Sequence, residues 1–194
     1  MASFKQELNS IIQAVLAISD ASVAEISCHL KLENIAKSQE FIKLGKRDNK
    51  EYFLLEGICK SYLLNPDGEE ISLSFFTSGS IISPHQTRSH ERKSLLNFRA
   101  LSHLRLASID AQTFEDLMVS NLEIREFANR VLQMELQAKV EKEIGLASLT
   151  AKERLLIFRE KFRALENHIP HRDIASYLGI TNISLSRLRK ELSS

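Results

Sequence analysis

Three hydrophobic periods follow one another along the chain. Over residues 3–18, Phe4, Leu8, Ile11, Ile12 and Val15 recur at helical spacing, and a second helical piece covers residues 21–29. From Ile35 to Ile109 the pattern is that of strands: residues 52–55 and 58–64 are aromatic and aliphatic, and Ile71, Leu73 and Phe75 alternate with Ser72 and Ser74. Asn65-Pro66-Asp67-Gly68 is a turn sequence, with proline presetting one dihedral and glycine closing the corner. Further strands are expected over residues 95–101 and 104–109. Gly45, Gly57, Gly68 and Gly79 recur every 11 or 12 residues, a spacing that suits a jelly-roll-like barrel of short strands.

From Ala111 to Leu146 the period is helical again. Ile124, Phe127, Val131, Met134 and Ala138 form an a/d seam, with a second stripe of Ala128, Leu132, Leu136 and Val140 beside it. A helix with two apolar stripes can pack on its own domain with one and on a twin with the other. The seam is assigned here to a homodimer interface. Gly145 is expected to interrupt this helix as a hinge, and Thr150 with Glu153 has the pattern of a capping box opening the next helix. Leu155, Leu156, Phe158, Phe162 and Leu165 would give that helix its buried face. The predicted architecture is α+β: a jelly-roll-like barrel with N-terminal helices over residues 1–110, a long dimerisation helix over 111–147, and an all-α domain over 148–194.

The last segment carries the most specific signal, HRDIASYLGITNISLSRLRK from His171. Pro170 marks a helix start. Ile174 and Leu178 share a helical face, Ala175 permits close approach, Gly179 suits a left-handed helix end, and Ile180 plugs the corner. Thr181 can cap a second helix, and Leu185 and Leu188 turn back toward the first. Asn182, Ser184, Ser186, Arg187, Arg189 and Lys190 are left facing outward. Polar and cationic groups of this kind read base edges and hold phosphates in a major groove. The segment is a candidate helix-turn-helix for double-stranded DNA; an αα-hairpin with a solvated charged face is the plainer reading of the same residues.

Charge adds to this. The whole 194-residue chain is nearly neutral, with 26 Lys+Arg against 25 Asp+Glu. Residues 150–194 hold about four more basic than acidic side chains and the rest about three more acidic, and polyanion binding depends on such local charge. Cys28 and Cys59 lack metal-ligand spacing and are expected to be reduced, largely buried thiols of a cytoplasmic protein. No apolar run is long enough to span a membrane, and residues 11–18 look amphipathic, not like a signal peptide.

A barrel, a long helix and a helix-turn-helix in this order resemble the Crp/Fnr family of transcription factors. IPHRDIASYLGITNISLSRLRKEL is similar to the short form found in Bacteroidetes, and NPDGEEISLSFF leading to Ser78-Gly79-Ser80 supports the likeness. The resemblance implies a cyclic-nucleotide-binding-like sensor barrel, a homodimer, and a non-enzymatic regulator binding a pseudo-palindromic operator. It places base contacts on Asn182 and Arg187 and phosphate contacts on Thr181 and Arg189, with His171, Arg172, Ser184, Ser186 and Lys190 completing the candidate DNA surface. The ligand pocket would fall on Ser78, Gly79, Ser80, Lys93, Ser94 and Leu95. An unidentified small-molecule effector and RNA polymerase are further candidate partners, and no cofactor is expected.

The departures are informative. Nucleotide-binding members carry Gly-Glu where Gly79 is followed by Ser80, and an arginine pattern that Arg92-Lys93-Ser94-Leu95 does not match. A cyclic phosphate without a placed cation binds poorly, so cyclic-AMP binding is not expected. Family iron–sulfur cysteines are absent, and the chain ends about one turn after the second helix, so no β-hairpin wing is expected. A family member that does bind a cyclic nucleotide is one alternative, and a heme sensor using His85 or His90 is another. A cupin-like metalloenzyme would need His85, His90 and His103 in a spacing they do not have. In a further alternative, the helix-turn-helix docks protein and does not touch DNA.

Overall fold

The computed structural model describes residues 2–83, 93–163 and 165–192. The chain forms two compact units, one from residues 1–61 and 75–135, the other from residues 62–74 and 136–194. In the first, α1 (Ala2–Val15) and α2 (Asp20–Cys28) precede the strands. The strands are β1 (Lys31–Ile35), β2 (Glu40–Ile42), β3 (Lys50–Glu56), β4 (Ile58–Leu64), β5 (Glu70–Thr77), β6 (Ile81–Ile82), β7 (Asn97–Ala100) and β8 (Leu104–Asp110). They form two four-stranded sheets, ordered β1-β8-β3-β6 and β2-β7-β4-β5. β8 is antiparallel to both β1 and β3, with Leu32 opposite Ala107 and Tyr52 opposite Ser108.

The continuous apolar run of β3 has a physical reason: both its faces are covered. Tyr52 and Leu54 point between the sheets, joining Ile42, Cys59, Phe76, Phe98, Leu104 and Leu106. Phe53 and Leu55 point the other way, onto Leu8, Ile12, Ile26, Leu117, Ile124 and Phe127 of the helices. β8 alternates likewise, Leu104 and Leu106 inward against Ala107 and Ile109 outward. At the β3–β4 corner Gly57 has φ +107°, and a Cβ there would stand 2.3 Å from the His103 carbonyl oxygen, so only glycine fits.

The helical stretch expected from Ala111 is divided. Asp110 caps α3 (Ala111–Ser120) by accepting the Thr113 N–H. Asn121 then takes extended backbone, and its Oδ1 accepts the Glu123 N–H at 3.0 Å, starting α4 (Leu122–Ser148) afresh. Gly145 does not break α4, contrary to expectation. Its carbonyl accepts the Leu149 N–H at 3.0 Å, and the break falls after Ser148. Cys28 is exposed at the end of α2, and only Cys59 is the buried thiol expected, its pKa pushed up by burial between the sheets. Among the described residues no helix is long and apolar enough to cross a membrane.

The second unit contains the tip of the β4–β5 hairpin and the C-terminal helices. Asn65 Oδ1 closes the hairpin turn by accepting from the Asp67 and Glu69 N–H groups. After α4 come α5 (Ala151–Lys161), a short 3-10 turn (Leu165–Asn167), α6 (His171–Tyr177) and α7 (Asn182–Glu191).

Candidate nucleic-acid interface

The head is built on a small core. Leu155, Phe158, Leu165, Ile169, Ile174, Ala175, Leu178 and Leu185 are all buried. Phe158, Phe162 and Tyr177 add a cluster of rings with centroids 5.3–6.1 Å apart. Leu156 faces outward, not into this core as its apolar character suggests. The capping box forms: Thr150 Oγ1 accepts the Glu153 N–H, and the Glu153 carboxylate accepts the Thr150 N–H at 2.8 Å. Arg154, at half-buried depth, spans the corner by donating to the Leu178 carbonyl at 2.9 Å and the Leu149 carbonyl at 2.6 Å.

α6 and α7 are joined through Gly179, whose φ of +66° gives the left-handed corner. The Ile180 N–H donates to the Ala175 carbonyl and locks the turn. Thr181 caps α7, its Oγ1 accepting the Ser184 N–H at 3.1 Å. That engagement gives Thr181 a structural task beside the phosphate contact assigned to it. Asn182, Ser186, Arg187 and Lys190 are exposed, Ser184 is half-buried, and Leu185 points to the core, as a DNA-reading helix requires. His171 and Arg172 are exposed at the start of α6.

Arg189 is not part of that outward surface. Its guanidinium lies 3.0 Å from the Glu166 carboxylate and also meets the His171 ring. Arg159 makes a two-nitrogen contact with the same carboxylate, at 2.7 and 3.1 Å. Burial alone would raise the Glu166 pKa, but the Arg159 hydrogen bond and the Arg159 and Arg189 charges outweigh it and hold it below the ordinary value. Arg189 is therefore a tie between α7 and the 3-10 turn. Glu166 had no signature in sequence, because its partners lie 7 and 23 residues away on different elements.

Ile183 was also missed. It is 66% exposed, although a hydrophobic residue in a helix is first assumed to face the core. Its position two residues before the buried Leu185, and four before Arg187, was the available signal. A third missed group is Lys142 on α4. Its ammonium donates to the Leu73 carbonyl at 2.7 Å and sits 3.9 Å from the centre of the Tyr177 ring, while the Ser72 N–H donates to Ser176 Oγ. Burial, with the Lys139 and Lys161 charges, pushes its pKa down to about 8.

The candidate ligand residues lie on two segments, 78–80 and 93–95, on either side of residues outside the described ones. Ser78 Oγ accepts the Gly57 N–H at the β3–β4 corner, and Ser80 Oγ accepts the Thr77 N–H across the turn at Gly79, where φ is +92°. Ser94 is buried with its hydroxyl on the Leu96 backbone. Lys93 and Leu95 are exposed beside it, and Lys93 pairs across to Arg47. Rings pack together between the sheets: Phe41 is 5.7 Å from Tyr52 and 6.1 Å from Phe98, which is 5.9 Å from Phe76. His85, His90 and Arg92 lie outside the described residues. His103 is exposed, and among the described residues no group of three or more His, Cys, Asp or Glu side chains is placed to hold a metal. One exposed and one core cysteine supply no iron–sulfur ligand set.

The assigned dimer seam needs correction. Ile124, Phe127 and Val131 are buried in the first unit's own core, where Phe127 stacks on Phe53. Met134 is exposed and Ala138 half-buried. The apolar face α4 leaves uncovered is instead Leu136, Val140 and Ile144, each one turn from the next and the first of them 64% exposed.

Residues 32–121 match the cyclic nucleotide-binding domain family. The fumarate and nitrate reduction regulatory protein of Vibrio cholerae is 25% identical over 165 residues, covering 79% of this chain and 65% of that relative. Its counterpart in Escherichia coli K12 is 26% identical over the same shares. The match thus spans 65% of the length of these curated relatives. Among solved structures, FixK2 from Bradyrhizobium japonicum superposes with a TM-score of 0.73 at 20% identity, covering 84% of each chain. With the two-sheet barrel, the long helix and the helix-turn-helix following in that order, residues 32–121 form a cyclic nucleotide-binding-type domain and the chain as a whole is similar to regulators of the Crp/Fnr family.

Proposed function

We propose that the protein is a homodimeric, sequence-specific transcriptional regulator that binds double-stranded DNA through α7. The observation that carries this reading is the outward face of α7, where Asn182, Ser186, Arg187 and Lys190 are exposed around a helix capped by Thr181 and seated on Leu185. Such a helix presents a bidentate cation and amide to base edges, with phosphate contacts from its flanks. The curated relatives, described as regulatory proteins, support the same reading. Two copies joined through Leu136, Val140 and Ile144 would set two α7 helices about one helical turn of DNA apart and give a pseudo-palindromic operator.

The barrel is proposed not to bind cyclic AMP. Support comes from the rings that pack between the sheets, and from Ser78 and Ser80, whose hydroxyl oxygens already accept backbone N–H groups. Titration calorimetry with cyclic AMP should give no heat of binding, and micromolar binding would refute this point.

The experiment for the DNA reading is selection from random duplexes by the full chain, followed by footprinting. Enrichment of a two-fold sequence with half-sites about 10 base pairs apart is expected. Failure to retain any duplex at low salt would favour the protein-docking alternative.

A further inference from the structure

Single exposed aliphatic side chains are ordinary on protein surfaces, so the exposure of Ile183 proves nothing by itself. Its position is the argument. Each residue turns an α-helix by about 100°, so Ile183 stands almost opposite the buried Leu185 and on one line with Arg187, four residues on, and Lys190, three beyond that. This is the outermost line of α7, and Ile183 occupies its N-terminal turn, the part of a recognition helix that meets base edges. Its side chain neither caps the helix nor joins the head core, and a β-branched residue is not a strong helix former.

The major groove displays one apolar group, the C5-methyl of thymine. We propose that Ile183 is a specificity-determining residue that packs on a thymine methyl in each half-site. The inference rests on the reading that α7 enters the major groove. Isoleucine has no donor or acceptor. A cytosine or adenine amino group beneath it would lose water without gaining a partner, so the same side chain attracts thymine and rejects those edges. Four helical residues advance about 6 Å and one base pair about 3.4 Å, so the thymine lies about one or two base pairs from the base that Arg187 reads.

The test uses the full chain and its selected operator, with each thymine of a half-site replaced in turn by deoxyuridine, which lacks only the methyl. One position should weaken binding roughly four-fold, the worth of burying one methyl group. Ile183→Ala should lose sensitivity at that position alone, while Ile183→Val, which keeps branched methyls, should retain it. Placing 5-methylcytosine there should bind the wild type more tightly than cytosine does. A flat deoxyuridine scan, or a sensitive position unchanged in Ile183→Ala, overturns the proposal. So does a change of oligomeric state in Ile183→Ser without DNA, if the scan stays unaltered, since Ile183 would then be a protein contact. A failed DNA reading shows earlier and differently: no sequence is enriched at all, and both readings fall together.

Discussion

Arg189 and Lys190 are adjacent near the end of α7, yet Arg189 is turned toward Glu166 while Lys190 is exposed. Their substitutions should separate accordingly. Lys190→Ala should weaken binding to all duplexes alike and reduce the slope of log affinity against log salt by about 1. Arg189→Ala should leave that slope nearly unchanged and lower the melting temperature of the protein, because it removes one partner of a half-buried carboxylate. Equal effects of the two substitutions on the salt slope would contradict the placement of Arg189. Periodicity puts both residues on the second helix, but only tertiary packing shows that Arg189 turns to Glu166, which reaches it from an element whose sequence does not advertise it. Ile183 is the converse case: its hydrophobicity suggests burial, while its angular position beside Arg187 suggests exposure, and position wins.

Among the elements, the turns were the most legible. Gly57, Gly68, Gly79 and Gly179 all adopt positive φ, where a glycine-marked corner was expected. Gly57 is the most constrained, so Gly57→Ala should destabilise the barrel by about 1–3 kcal/mol from backbone strain alone, with the approach to the His103 carbonyl adding to it. An unchanged thermal midpoint would contradict the corner geometry. The 3-10 turn offers a pH test. The native Glu166 carboxyl is held below its ordinary value of 4.5, so the stability it contributes is complete above that value and is lost as pH falls through the lower native one. The stability difference between wild type and Glu166→Gln should therefore be constant near neutrality and shrink in acid below pH 4.5. A difference that grows in acid would reverse the sign of the argument. The least legible element was α4. Both its stripes have the same period, and burial follows position along the helix: Ile124, Phe127, Ala128 and Val131 near its start are buried, while Met134, Leu136 and Val140 further on are exposed, a change that periodicity does not signal. Gly145 misled because a glycine within a helix weakens it without ending it.

For the molecule as a regulator, the uncovered face of α4 and the outward face of α7 must act together. Val140→Asp places a charge in the middle of the exposed stripe, at a side chain that is 45% exposed, so it should leave the monomer folded and shift a dimer toward monomer in sedimentation. Binding to a two-fold operator should then fall far more than binding to a single half-site, because the second head no longer binds as if intramolecular. A stable dimer of Val140→Asp would move the interface elsewhere. The order of barrel, long helix and head was readable from three successive hydrophobic periods. Whether the barrel takes a ligand was not, because that depends on which side chains meet between two sheets. The central claim is that α7 reads sequence, and the most direct test is an anisotropy titration of Arg187→Ala on the selected operator and on random duplex. The account predicts a loss of about 1–3 kcal/mol on the operator, relaxed preference at one base position and a much smaller change on random DNA; equal affinity of wild type and variant for the operator would contradict it.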